Sequence, residues 1–147
     1  MVNMTNKEYR EYVKMKSPNS KLGANLVKAF ISGGLICTIG QGILNLYKYF
    51  NISGETALIA TSVTMVFLGA AFTGLGLYDR FAKFGGAGTL VPITGFANSI
   101  VSPALEYKSE GFVAGMSTKM FVIAGPVLVF GLTASVIYGL FYVLFRG

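Results

Sequence analysis

Histidine is absent from the sequence, and cysteine occurs once, as Cys37. Without imidazole, histidine bases, histidine-dependent triads and the usual zinc sites are excluded. One cysteine permits no internal disulfide and leaves the redox compartment open. Charge is also scarce, at 12% Asp, Glu, Lys and Arg, about half the share of an ordinary soluble domain. The six carboxylates sit in tails, loops or helix ends. No paired-carboxylate hydrolase or di-metal site is expected from them, so the chain reads as a non-enzyme with no cofactor and no metal.

What remains is apolar. Hydrophobic residues make up 53% of the chain, and the mean hydropathy is +0.62. Long apolar runs rather than alternating strands point to one all-α polytopic membrane domain, not a barrel. About four membrane segments are expected, one of them a broken or re-entrant pair of half-helices.

The net charge of +6 is unevenly placed. Lys7, Arg10, Lys14, Lys16, Lys21 and Lys28 precede the first long apolar run, half of the twelve cations. The positive-inside rule assigns such a cluster to a cytoplasmic tail. A nucleic-acid-binding arm is the other reading, which Glu8 and Glu11 dilute, and no nucleic-acid partner is expected. Residues 1–24 therefore read as a cytoplasmic amphipathic tail, with one short turn around NKEYREYVKMK that Ser17-Pro18-Asn19 ends. The tail starts with a long polar segment and shows no cleavage site, unlike a signal peptide. Residues 25–147 form the membrane domain.

The first transmembrane helix is predicted over Asn25 to Tyr47, long enough for a core of about 30 Å with Lys28 at its edge. Gly34, Thr38 and Gly42 recur every fourth residue and predict a flat packing stripe. Gly33, Cys37 and Gln41 make a neighbouring one. Gln41 fits either a packing contact or a pore lining. After a short external loop from Lys48 to Glu55, a second helix is predicted from Thr56 to Tyr78, ending on Asp79, Arg80 and Lys83.

The stretch Gly74 to Tyr107 is the most unusual. It carries no charge from Phe84 to Leu105, yet contains Gly85, Gly86, Gly88, Pro92, Gly95 and Pro103. Backbone freed by such breakers is tolerated at membrane depth only within protein or beside a water-filled cavity. Two half-helices meeting near Pro92 to Gly95 are predicted, with Gly95 supplying turn geometry and the second opening near Thr94. A helix opening there aims its free N–H groups and positive dipole end at whatever lies beside it. The predicted solute-path candidates are Gln41, Gly85, Gly86, Gly88, Thr94, Gly95, Asn98, Ser99 and Lys119. The GGAG sequence lacks the Gly-Lys-Ser/Thr of a phosphate loop. Whether the broken segment crosses or turns back stays open, and so does the side of the C-terminus.

From Gly111 to Phe145 the chain is apolar except for Lys119. It is predicted to split into a short helix from Gly111 to Lys119 and a spanning helix from Met120 to Phe145, kinked at Pro126. Gly131, Ser135 and Gly139 supply another packing stripe. Lysine at membrane depth costs about 2.5–3.5 kcal/mol on insertion scales, so Lys119 marks either a function or a membrane boundary.

GGLICTIGQ (Gly33 to Gln41), GLGLYDRFAKFGGAGTLVPITGFANS (Gly74 to Ser99) and EGFVAG (Glu110 to Gly115) together resemble the SpoVA family of endospore-forming bacteria. The resemblance implies a multi-pass subunit of the spore inner membrane. It further implies a channel or transport complex, responsive to membrane tension, that carries dipicolinic acid with calcium during sporulation and germination. Its expected partners are other SpoVA subunits and the lipid bilayer. It transfers no catalytic or binding residue. A non-conducting structural subunit is the alternative, since small-residue stripes also serve assembly.

Overall fold

The computed structural model describes residues 5–17 and 20–146, which form seven α-helices and no strand among them. Pro18 and Asn19, expected to break the tail helix, lie outside the described residues.

Helix α1 (Asn6–Lys16) is longer than the single turn expected. Thr5-Asn6-Lys7-Glu8 is a capping box: the Thr5 hydroxyl accepts from the Glu8 N–H, while the Glu8 carboxylate accepts from the Thr5 N–H at 2.8 Å. The Thr5 N–H, together with the Thr5 hydroxyl that donates to the same carboxylate at 2.8 Å, holds the Glu8 carboxyl below its ordinary range. No residue of α1 is buried, so capping rather than packing sustains it.

Helices α2 (Leu22–Tyr49) and α3 (Gly54–Gly74) form an antiparallel hairpin. Asn51 closes its loop at φ 58°, a left-handed conformation that asparagine tolerates. The hairpin is held by Tyr47 and Thr64, whose hydroxyls lie 2.7 Å apart, and by Met65, whose methyl would stand 3.8 Å from a Cβ on Gly40. Helix α3 buries Ala57, Met65, Gly69 and Thr73. Val66 and Gly74 of the same helix are exposed. The helix also ends earlier than predicted, because Gly76 at φ 69° turns the chain before Tyr78.

The predicted break is present, with its geometry redistributed. Helix α4 (Tyr78–Gly85) ends at Gly86, whose φ of 51° and ψ of −125° suit only glycine. One turn, α5 (Ala87–Leu90), follows, and Pro92 then caps α6 (Ile93–Glu106). The turn glycine is therefore Gly86. Gly95 lies within the first turn of α6 and does not use positive φ.

Register shows how this segment is threaded. Thr94 and Ala97 of α6 sit against Gly69 of α3, and Asn98 sits against Thr73. Helix α6 thus packs along α3 in the most extensive helix pairing of the described residues.

Among the described residues, three helices are long and apolar enough to cross a membrane: α2, α3 and the run Phe112–Arg146. That last run corrects the predicted split. After a 3₁₀ turn (Lys108–Glu110) and Gly111 at φ 94°, a π-helical stretch (Phe112–Ser117) passes directly into α7 (Thr118–Arg146). The wider winding lets the Ser117 and Thr118 hydroxyls donate to carbonyls five residues back, at 2.7 and 3.0 Å. Lys119 thus sits inside a continuous helix. Since α6 ends where α7 begins and the two pack together, α7 runs antiparallel to α6.

Candidate functional site

The broken segment is built around close backbone approach. A Cβ on Gly85 would stand 2.5 Å from Ser32 Oγ, and one on Gly88 would collide with the Ala29 carbonyl of α2. A Cβ on Gly69 would stand 2.8 Å from the Thr94 carbonyl, and one on Gly95 would collide with the Thr89 and Leu90 carbonyls. Four glycines from four helices therefore let α2, α3, α4, α5 and α6 approach closely. Small residues allow this in membranes, where dispersion and hydrogen bonds drive packing more than the hydrophobic effect does.

Polar groups freed by the break are paired within the chain. The Tyr78 hydroxyl donates to the Thr89 carbonyl at 2.7 Å and lies 3.1 Å from Thr94 Oγ1, which can donate in return. Tyr78 thereby bridges the last residues before the break and the first residues after it. All three of these residues are buried. On the α3 side, Thr73 Oγ1 lies 2.7 Å from the Gly69 carbonyl and 2.9 Å from the Asn98 amide. A hydroxyl has one proton, so it donates to one of these two acceptors at a time, the Gly69 carbonyl or Asn98 Oδ1. Ser32 Oγ donates to the Lys28 carbonyl at 2.8 Å and lies 3.4 Å from the Gly85 carbonyl. Among the described residues, no buried side-chain nitrogen or oxygen is left without a partner.

The predicted candidates fall into two groups. Gly85, Gly88, Thr94, Gly95 and Asn98 come together around the break, with Ser99 on the same helix bonded to its own Phe96 carbonyl at 2.7 Å. Gly86 is their exposed hinge. Gln41 and Lys119 do not join them. Gln41 is exposed on α2, where its amide donates to Asn45 Oδ1 at 2.9 Å. Lys119 is exposed on α7, with its ammonium 4.8 Å from the centre of the Tyr107 ring.

The two packing stripes are bare within the chain. Nothing approaches within 4 Å of a Cβ at Gly34, Gly42, Gly131 or Gly139, and Thr38 and Ser135 are exposed. Gly33, one residue away, is the glycine that packs: a Cβ there would lie 3.3 Å from the Gly88 carbonyl. Ser32, Gly69, Thr73, Tyr78 and Thr89 are members of the site that the sequence reading did not include.

One face of α2 stands apart. Gly34, Thr38, Gln41 and Asn45 recur at four, three and four residues, so they share one side of the helix, and all are exposed. Gln41 and Asn45 lie in the C-terminal third of α2, and a carboxamide facing hydrocarbon there is costly.

A family model described as SpoVAC/SpoVAEB sporulation membrane protein matches residues 25–141. The chain is also 50% identical over 140 residues to "Stage V sporulation protein AC" of Bacillus subtilis (strain 168), covering 93% of each chain. No solved structure matches. The chain therefore belongs to the SpoVAC/SpoVAEB family of sporulation membrane proteins.

Proposed function

We propose that this chain is a conducting subunit of a SpoVA-type complex in the spore inner membrane, passing dipicolinic acid with calcium during sporulation and germination. The path would run between subunits, along the Gly34–Thr38–Gln41–Asn45 face of α2. The observation that carries this reading is that face itself: paired carboxamides, exposed in the C-terminal third of α2, that nothing among the described residues covers. In this arrangement the broken segment is the brace that fixes α2, α3 and α6 around it. Dipicolinate is a flat dianion, and uncharged amides and hydroxyls would pass it without holding it tightly. Family membership supports the sporulation membrane setting.

The test is dipicolinate efflux from liposomes holding the purified chain, alone and with sister subunits. Release under osmotic swelling would also support tension gating. Absence of flux in every combination would sink the conducting role.

A second reading is a non-conducting structural subunit, favoured by the Gly131–Ser135–Gly139 stripe, which is bare and shaped for helix association. It predicts intact assembly of the complex around a chain whose Gln41 and Asn45 are dispensable.

A further inference from the structure

We propose that the chain binds one acidic phospholipid, its headgroup between Lys28 and Lys83 and an acyl chain in the cavity behind Phe84. Where α2 begins and α4 crosses it, a cleft of about 450 Å³ is bordered by Asn25, Lys28, Lys83, Phe84 and the Gly86 turn. Two ammonium groups face this cleft from different helices, and no carboxylate lines it. The Lys28 ammonium stands 5.5 Å over the Phe84 ring, so the ring forms the wall on which the charge rests. Phe84 also borders a second space, a cavity of about 350 Å³ walled by α2, α3 and α4 residues such as Ile36, Leu68 and Phe81.

The two spaces thus share one wall, one cationic and the other almost wholly apolar. Phe84 and Phe81 are each 56% exposed, so the apolar cavity is not sealed. A phosphodiester with an attached hydrocarbon chain complements both at once. A soluble anion would satisfy only the first, and a neutral lipid only the second. Lysines at the cytoplasmic end of helices attract anionic headgroups by about 1 kcal/mol each. Acyl burial adds the rest. The site is independent of whether the chain conducts.

The test is native mass spectrometry of the full chain in detergent, titrated with phosphatidylglycerol or phosphatidylcholine of the same chains. The expected result is one tightly retained phosphatidylglycerol, favoured over phosphatidylcholine on the order of thirtyfold, from two lysines together. Lys28→Gln with Lys83→Gln should abolish the preference, whereas Lys7→Gln with Lys14→Gln in the exposed α1 should leave it. Ile39→Trp, at the rim of the apolar cavity, should weaken phosphatidylglycerol retention at unchanged charge. Undiminished preference in the Lys28/Lys83 variant, or equal loss in the Lys7/Lys14 variant, would overturn the site. Inorganic phosphate competing as strongly as the lipid would overturn the lipid assignment, as would unchanged retention in Ile39→Trp.

Discussion

Glycine recurs in this chain in two settings that look alike in sequence and differ in space. Around the break, Gly69, Gly88 and Gly95 meet backbone, and Gly85 meets the Ser32 and Thr89 side chains, so closely that no side chain fits. On the outer faces of α2 and α7, Gly34, Gly42, Gly131 and Gly139 meet nothing. The spacing of four occurs in both settings. It shows that a helix has a smooth side without showing what lies against it. The inner glycines stabilise the chain itself; the outer ones bear only on whatever the chain assembles with.

The comparison is sharpest as topology, where the expected effect is all-or-none. If the broken segment turns back, the chain has three crossings and its ends lie on opposite sides. With Cys37 replaced by serine, single cysteines at Ser20 and Ser53 should label from opposite faces, with the Ser20 side cytoplasmic. A cysteine at Phe145 that labels with Ser53 would mean that the broken segment turns back. Labelling of Phe145 together with Ser20 would mean that the broken segment crosses.

Next in size is the glycine contrast. Gly95→Val drives a branched side chain into the Thr89 and Leu90 carbonyls and should destabilise the detergent-solubilised chain by about 3 kcal/mol. Gly42→Leu, made where nothing lies within 4 Å, should leave that stability unchanged and instead weaken association between subunits. Thermal unfolding followed by size-exclusion chromatography separates the two effects. Equal melting loss for both would erase the distinction.

Tyr78→Phe should come third, costing about 1–2 kcal/mol by leaving the buried Thr89 carbonyl and Thr94 hydroxyl without their shared partner. Ser99→Ala, which removes a bond within its own helix, should melt like the wild type. A Tyr78→Phe melting curve that overlays the wild type would show that the bridge does not hold the break together.

The smallest effect lies in the tail. Because Glu8 is held below its ordinary range on folding, its capping contribution is present above the unfolded carboxyl value. It is lost as pH falls through the lowered folded value. Helicity of α1, followed by amide chemical shifts, should therefore fall in acid, and Glu8→Gln should flatten that dependence. Acid-independent helicity in the wild type would refute the capping account.

Much of this arrangement was legible in sequence, for reasons that are local. Long charge-free runs marked α2 and α3, and Pro92 in an apolar context marked the break. Thr5 followed three residues later by Glu8 is a capping signal that would have given α1 its full length. Other features depend on contacts distant in sequence. Tyr78 in Tyr-Asp-Arg resembles an interfacial anchor, and its partners Thr89 and Thr94 follow no helical period. Gly33 and Gly34 begin equivalent stripes, and only the approach of α5 decides which one packs. Gly86, Gly88 and Gly95 are alike as breakers, yet one is a hinge and two are contact points. The π-helical entry to α7 carries no charge or proline to betray it, so Lys119 looked like a boundary.

The central claim is that the exposed face of α2 borders water while the broken segment is its brace. Cysteine placed at Gln41, with Cys37 replaced by serine, tests it most directly in dipicolinate-loaded liposomes. A charged, membrane-impermeant thiol reagent should modify Gln41→Cys and cut efflux at least about tenfold by blocking the path. The same reagent should leave efflux unchanged for a cysteine at Val63 on the apolar outer face of α3. Full dipicolinate efflux with Gln41→Cys unreactive would contradict the account, because the solute would then be passing elsewhere.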